Sequence, residues 1–195
     1  MCSPRLVLPA VISLFLVSTL FAAETLNEAF IAQELQRTQS APDSVASVSI
    51  AAPIDFVFEF LVRRPDDYTA DAVGVAFDHA GSDTPGELGR GSVRTISMNN
   101  GETLFQRFLM LNPPAMYVYL TDMAKSTVSL PLNYSIARYE LSEMADGSTM
   151  LQVALVYEPS SRLLAFFVRR AFRSALQRDF EQAAELIEAE WRNGP

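Results

Sequence analysis

The residue types that build metal centres and acid–base catalytic sites are scarce in this chain. Its 195 residues include one cysteine, Cys2, and one histidine, His79. A structural zinc site needs about four cysteine or histidine ligands, so we expect no such site, no internal disulfide and no cofactor. A serine–histidine–aspartate triad would depend on His79 alone. The adjacent Asp78 points to the opposite face of a predicted strand, and no Gly-x-Ser-x-Gly motif is present, so we predict no catalytic constellation.

Basic residues are also few. The chain has 15 Lys and Arg against 23 Asp and Glu, which gives a formal net charge of −8. Nucleic-acid-binding proteins need a basic footprint on their surface, so we expect no nucleic-acid partner. Hydrophobic residues make up 49% of the chain, which is enough for the core of one sizeable domain preceded by a leader.

Residues 1–23 predict export. Met1–Arg5 is a short basic segment, Leu6–Phe21 is an apolar run, and Ala22-Ala23 follow, which is the order of a secretory signal peptide. An uncleaved membrane anchor over residues 6–23 is the alternative, because the run approaches the ~18 residues of a spanning helix. Under both interpretations the rest of the chain is exported, and it is periplasmic, secreted or held at a membrane.

The chain after the leader divides into a short helix with a linker over residues 24–43 and one domain over residues 44–195. In that domain a strand with alternating apolar residues runs into Ala51-Ala52-Pro53. Proline suits the first turn of a helix, so a short helix is predicted directly after it. The Asn99–Gly101 and Asp146-Gly147 segments are strong hairpin-turn signals in the β-like sequence that follows.

The domain closes on one long amphipathic helix over about residues 162–191. Its apolar residues recur at three- and four-residue steps, and we predict that Phe172 and Phe180 on this stripe face the sheet. A stripe of this length needs a whole sheet face to cover it, which favours a sheet that wraps the helix.

Several short motifs follow one another in a specific order across residues 44–192. They are Val48–Pro53 with its following helix, Gly89–Arg94, Gln106–Tyr117 with the turn Asn112-Pro113-Pro114, Pro131–Tyr134 and Gly147–Gln152. In order and spacing they resemble the SRPBCC superfamily (START-like, birch-pollen-allergen-like), and within it the polyketide cyclase/dehydrase and lipid-transport group. The chain departs from that pattern in having no tryptophan in Asp71–Phe77 and in having Gln106 and Gln152 where many members have glutamate.

The resemblance implies an α+β helix-grip fold. In this fold a curved antiparallel sheet of about seven strands wraps the long C-terminal helix, and two short helices follow strand 1. The resemblance also implies that lipids or other apolar small molecules bind in a cavity between the sheet and the long helix. It does not imply one activity, because the fold hosts carriers, receptors, cyclases and subunit-assembly proteins.

Strand alternation sorts the candidate lining residues into two faces, and the resemblance favours the Gln106 face as the inner one. The predicted lining is mostly apolar and aromatic with a few polar groups, as ligand pockets are. Its members are Arg94, Ile96, Met98, Gln106, Phe108, Met110, Tyr117, Tyr119, Tyr134, Gln152, Ala154 and Val156. The alternative is that these residues fill a closed core and bind nothing.

The last helix carries arginines early and glutamates late, which opposes the preference of the helix dipole. Arg169, Arg170 and Arg173 are the centre of the basic part. Such a run is typical of a solvated helix face, and the alternative is a contact with an anionic membrane surface or an acidic protein.

The leading hypothesis is an exported, non-enzymatic binding or carrier protein for a hydrophobic small molecule or lipid. A polyketide cyclase/dehydratase-like enzyme in the same cavity is an alternative, with Arg94 and either Tyr119 or Tyr134 as acid or oxyanion groups. An accessory protein that assists another exported enzyme is a third possibility.

Overall fold

The computed structural model describes residues 26–161 and 165–194, apart from the side chains of residues 167, 171, 173 and 174. The predicted leader, residues 1–23, lies outside this description. The elements in chain order are α1 (Glu28–Ser40), β1 (Ser44–Ile50), α2 (Ile54–Arg63), α3 (Pro65–Tyr68), β2 (Ala72–Asp78), β3 (Val93–Met98), β4 (Thr103–Asn112), β5 (Met116–Asp122), β6 (Leu132–Glu143), β7 (Thr149–Pro159) and α4 (Ala165–Asn193). Within the described ranges, no helix combines the length and the apolar character needed to cross a membrane.

The strands form one seven-stranded sheet in the order β1-β7-β6-β5-β4-β3-β2, with every neighbouring pair antiparallel. The first strand, β1, therefore pairs with the last, β7. The strands β1 and β2 form the two edges of the sheet, and the short helices α2 and α3 connect them. The long helix α4 packs on one side of this sheet. This architecture confirms the predicted α+β helix-grip fold.

The helix α2 begins where the proline signal predicts. Pro53 is its N-cap in an extended conformation, and the helix ends at Arg63, ahead of Pro65. One side of α2 is buried, and the junction before it is anchored because the Thr149 hydroxyl donates to the Ala52 carbonyl at 2.7 Å.

The inner face of the sheet, defined as the face toward α2 and α4, carries the larger core. Phe180 of α4 is buried and packs edge-on against Tyr139, with ring centroids 5.5 Å apart. Phe172 is half-buried and stacks on Tyr157 at 5.1 Å. Both phenylalanines therefore face the sheet, and the apolar stripe of α4 has the phase that its sequence predicts.

The outer face of the sheet, on the other side, is partly covered by α1. Ile31 of α1 is buried against a second apolar cluster that includes Val118 and Ile136. The helix starts after Asn27, whose side chain accepts from the Phe30 backbone N–H at 2.9 Å, as N-cap residues do. The segment before the domain is thus packed against the sheet that follows it.

Candidate ligand-binding site

Arg94 lies at the centre of the candidate site, on the inner face of β3, and its side chain is almost completely buried. Its Nε donates to Oε1 of Gln106, the residue directly opposite on β4, at 2.8 Å. Its Nη1 donates to the Val62 carbonyl at 2.8 Å and to the Leu61 carbonyl at 3.3 Å. The guanidinium therefore connects the sheet to the end of α2.

The end of α2 explains how a cation is tolerated at this depth. The last carbonyls of a helix have no intrahelical partner and carry partial negative charge. Leu61 and Val62 lie in the last turn of α2 and are themselves buried. Arg94 satisfies both carbonyls and meets the negative end of the helix dipole, so within the described part of the chain it is held without a carboxylate.

Aromatic rings enclose the guanidinium. Its central carbon lies 5.0 Å from the ring centroid of Tyr119 and 5.5 Å from that of Phe108, within the range of cation–π interaction. Tyr117 stacks on Tyr139, with centroids 4.3 Å apart, and the hydroxyls of Tyr119 and Tyr139 are 3.1 Å apart. We call Tyr68, Tyr117, Tyr119 and Tyr139 the tyrosine cluster.

One hydroxyl of the tyrosine cluster has no hydrogen-bond partner within the described ranges of the chain. The Tyr68 hydroxyl donates to the Leu61 carbonyl at 2.8 Å. Tyr117 is fully buried, and its hydroxyl makes no hydrogen bond to any residue that the structure describes. Buried polar groups are nearly always paired, so the Tyr117 hydroxyl marks a place where a further polar group fits.

At neutral pH the arginine and the buried tyrosines of the site all carry protons and can donate hydrogen bonds. Burial raises the pKa of Tyr68 to about 12 and holds the pKa values of Tyr117 and Tyr139 well above the usual value. Burial acts to lower the pKa of Arg94, but the tyrosine oxygens around it outweigh this effect and raise it. At neutral pH the arginine is charged and these three tyrosines keep their protons. The arrangement can therefore polarise or bind an acceptor, and it offers no base.

Several predicted lining residues come together here. Arg94, Gln106, Phe108, Tyr117 and Tyr119 all lie on the inner face, around the guanidinium. Ile96 is buried on the same face of β3 as Arg94, and Met98 lies half-buried at the end of that strand.

The prediction that Gln152, Ala154 and Val156 share this face is wrong. In β7 the inner-face residues are Leu151, Val153, Leu155 and Tyr157. Gln152 lies opposite Glu140 on β6, and with Ala154 it lines a groove of about 320 Å³ on the outer face. Side chains of a strand point alternately to its two faces, so an error of one residue moves every predicted side chain of that strand to the other face. Residues 153–157 are apolar at every position, so their sequence does not distinguish the two faces.

The placements of Tyr134 and Met110 are also wrong. From Tyr134 to Glu143 the pairing of β6 with β7 is regular, and Tyr134 lies on the face opposite to Tyr139, with its hydroxyl donating to Glu34 of α1 at 2.8 Å on the outer face. In β4 a shift in register lies between Phe108 and Met110, which packs with the outer cluster. A bulge resets the alternation of a strand, and the residue pattern gave no sign of this one.

Tyr68, Tyr139 and the carbonyls of α2 were missed by reasoning from the sequence. Tyr139 had a usable signal, because Glu140 and Ser142 alternate with Tyr139 and Leu141, and polar alternates mark the exposed face. Tyr68 is the last residue of the four-residue helix α3, which is too short to show periodicity, so it had no such signal.

His79 takes no part in the tyrosine cluster. Its Nδ1 lies 3.1 Å from the Ser92 hydroxyl, and its ring is roughly parallel to that of Phe77. Among the described residues, no group of three or more histidine, cysteine, aspartate and glutamate side chains is arranged to hold a metal ion.

Comparisons with known proteins bear on the fold. No protein-family model matches the sequence, and no curated protein matches it. Among solved structures, Ara h 8.0201 matches with a TM-score of 0.56 and 14% identity, over 75% of this chain and 97% of that one. The chain has the same helix-grip fold as Ara h 8.0201.

Two further structures extend the comparison. The protein XoxI from Bacillus cereus has a TM-score of 0.56 and 12% identity, covering 76% of this chain and 94% of its own. The di-domain ARO/CYC protein StfQ from the steffimycin biosynthetic pathway has a TM-score of 0.54 and 13% identity, covering 86% of this chain and 61% of its own. At these identities the likeness concerns the helix-grip fold alone.

Proposed function

We propose that this protein binds a hydrophobic small molecule or lipid between the sheet and α4, and that it carries this ligand without converting it. The observation that carries the proposal is the charged, donor-rich group of Arg94 and the tyrosine cluster within an apolar, aromatic face. Sites for small molecules are built this way, with apolar walls and a few polar groups that set the ligand's orientation.

The exposure of the inner face supports a ligand position beside its half-buried apolar residues. On α4, Val168, Phe180, Ala184 and Ile187 are buried. Other apolar residues that pack against the same core keep part of their surface exposed. They include Phe77, Leu88, Tyr119, Met123, Phe172 and Leu176. A ligand that packed on these residues would cover exposed apolar surface, at about 25 cal/mol per Å² of area removed from water.

The protonation states favour a carrier over an enzyme. General acid–base catalysis works best with a group whose pKa lies near the working pH. The pKa values of Arg94, Tyr68, Tyr117 and Tyr139 all lie above their ordinary values, far from neutrality. His79 hydrogen-bonds to Ser92 instead of to the cluster.

A cyclase-like enzyme is the second candidate, because Arg94 and the tyrosines converge as donors around one place. Preorganised donors of this kind stabilise the oxyanion of a reacting carbonyl. The likeness to the ARO/CYC protein StfQ supports this candidate at the level of the fold. The accessory role remains a prediction.

We also propose that residues 1–23 direct export and that the start of α4 meets an anionic surface. The support for export is the order of basic, apolar and small residues in the leader. The support for the second proposal is that Arg169 and Arg170 are exposed on a chain of net charge −8. The third arginine, Arg173, has a side chain outside the described set.

The test of binding uses a neutral apolar fluorophore, N-phenyl-1-naphthylamine, with the full chain purified from its own host. We expect saturable fluorescence enhancement that is lost in urea, and native mass spectrometry should find an apolar molecule that co-purifies. Absence of both saturable enhancement and a co-purifying molecule would contradict the proposed function. Turnover of a linear polyketide by the same preparation would favour the cyclase instead.

A further inference from the structure

Arg94 is a buried cation with no anion beside it. Its hydrogen-bond acceptors are an amide oxygen and two backbone carbonyls, and no carboxylate among the described residues pairs with it. Arg138 provides the contrast, since it is also buried but has the Glu140 carboxylate at 2.6 Å. Burying an unpaired charge costs free energy. We therefore expect an anion to lie beside Arg94 when the protein performs its function.

The Arg94 guanidinium has N–H donors that its three hydrogen bonds do not use. An arginine has five N–H donors. The three hydrogen bonds of Arg94 to Gln106, Leu61 and Val62 use Nε and Nη1, and none of them uses Nη2. The carbonyls of α2 offset the charge only in part, because a helix end is equivalent to about half an elementary charge.

A second unused donor lies among the same aromatic rings as the first. The fully buried Tyr117 hydroxyl has no hydrogen-bond partner among the described residues, and the Tyr117 ring lies beside Phe108 and Tyr119, the two rings that flank the Arg94 guanidinium. Two unused donors, one of them cationic, match a group that only accepts hydrogen bonds and carries one negative charge. A carboxylate has this chemistry.

The surroundings favour one negative charge on an apolar body. Arg94 is the one cation at the tyrosine cluster among the described residues, and the walls are aromatic, with Phe58 edge-on to Tyr117 at 5.7 Å and Phe108 beside both. A phosphate monoester carries a charge of about −1.5 to −2 at neutral pH and needs more donors. A monocarboxylate with a hydrocarbon or aromatic body fits the charge and the walls.

We propose that the ligand of this site is an apolar monocarboxylic acid whose carboxylate binds Arg94 and the Tyr117 hydroxyl. This inference rests on the proposed function, since it names the chemical class of the ligand held between the sheet and α4. It assigns Gln106 and the α2 carbonyls to positioning, because they orient the guanidinium and leave Nη2 available.

The experiment is displacement of N-phenyl-1-naphthylamine at pH 8 by dodecanoate, methyl dodecanoate and dodecanol. These competitors share a chain and differ in the charge of the head group. We expect dodecanoate to displace the probe at a concentration about tenfold or more below that of either neutral competitor, as charge-assisted hydrogen bonds permit. Calorimetric titration with dodecanoate replaces displacement if the neutral probe does not bind.

Variants of Arg94, with Arg138 as the control, test whether Arg94 causes the preference for dodecanoate. Arg94→Met should abolish the preference for dodecanoate, and Arg138→Met, which removes a buried arginine from the outer face, should keep it. If Arg94→Met fails to fold, the double variant Arg94→Met/Gln106→Leu removes both partners of the hydrogen bond. Tyr117→Phe, which keeps the ring, should reduce the preference about threefold or more.

The outcomes separate the inference from the proposed function. Equal displacement by all three competitors would overturn the carboxylate ligand and leave apolar binding intact. A preference that survives in Arg94→Met would place the carboxylate elsewhere and overturn the assignment. If neither the probe nor dodecanoate binds, both proposals fail together.

Discussion

The two faces of the sheet differ in how their buried charged groups are paired. On the outer face, the buried carboxylate of Glu34 accepts from Arg37 at 2.6 Å and from the Tyr134 hydroxyl at 2.8 Å. On the inner face, Arg94 has neutral acceptors and the Tyr117 hydroxyl has no partner among the described residues. The outer network is complete, while the inner one keeps unused donors.

The difference indicates which face is structural and which is built for a ligand. A buried charge that is fully paired within the chain fixes one arrangement of that chain. The pair of Glu34 and Tyr134 does this by connecting α1 to β6. Unused donors, in contrast, are a cost to the free protein that a ligand can remove. The predictions below test this contrast in order of decreasing effect.

The largest effect is expected from the packed end of the inner face. Phe180→Ala removes a buried ring that packs on Tyr139, and it should lower the free energy of unfolding by about 3–5 kcal/mol in urea. Val73→Ala is the control, since Val73 is 65% exposed, and its effect should stay within about 0.5 kcal/mol. Similar small effects for both variants would mean that α4 is not packed against the sheet.

The outer network should show the next largest effect. Glu34→Ala leaves the buried Tyr134 hydroxyl without its acceptor, so we expect a loss of about 2–3 kcal/mol. Glu34→Gln, which retains an acceptor, should lose less. The matched control is Glu59→Ala, which breaks an exposed ion pair with Arg63 and should cost about 0.5 kcal/mol or less. Equal losses for Glu34→Ala and Glu59→Ala would show that the outer network is not structural.

A pH effect should come from Tyr68 on the inner face. Burial raises its pKa from 10.0 to about 12, so the unfolded chain loses this proton at lower pH than the folded chain. The stabilisation from neutral Tyr68 is complete below pH 10 and is lost as the pH rises through about 12. Tyr68→Phe should therefore reduce the fall in unfolding free energy across this window by up to about 1.4 kcal/mol per pH unit. Parallel curves for the two proteins would contradict the burial of this hydroxyl.

How far the sequence predicts the site depends on the strand. In β3 and β4 strand alternation separates Arg94 from Thr95 and Gln106 from Arg107, and the resemblance selected the Gln106 face, which is the inner one in the structure. In β6, residues 134–139 are all buried, because α1 covers the outer face while α2 and α4 cover the inner one. Within this buried stretch polar residues fall on both faces, Ser135 on one and Arg138 on the other, so only Glu140 and Ser142 beyond it indicate the orientation.

The parts of the site that come from tertiary contacts could not be predicted at all. The α2 carbonyls that hold Arg94 lie 32 and 33 residues away in the chain. Backbone acceptors have no sequence signature, so the resemblance to the SRPBCC superfamily indicated the fold and not the way in which the arginine is held.

The most direct test of the contrast between the faces is the effect of dodecanoate on thermal stability. At a free concentration about ten times the Kd, a ligand that binds only the folded protein adds about 1.4 kcal/mol, which is about 3–6 °C in Tm for a chain of this size. We predict this rise for the wild-type protein and for Arg138→Met, and no rise for Arg94→Met. An equal rise in Arg94→Met would contradict the account, because the unused donors of the inner face would then have no part in binding.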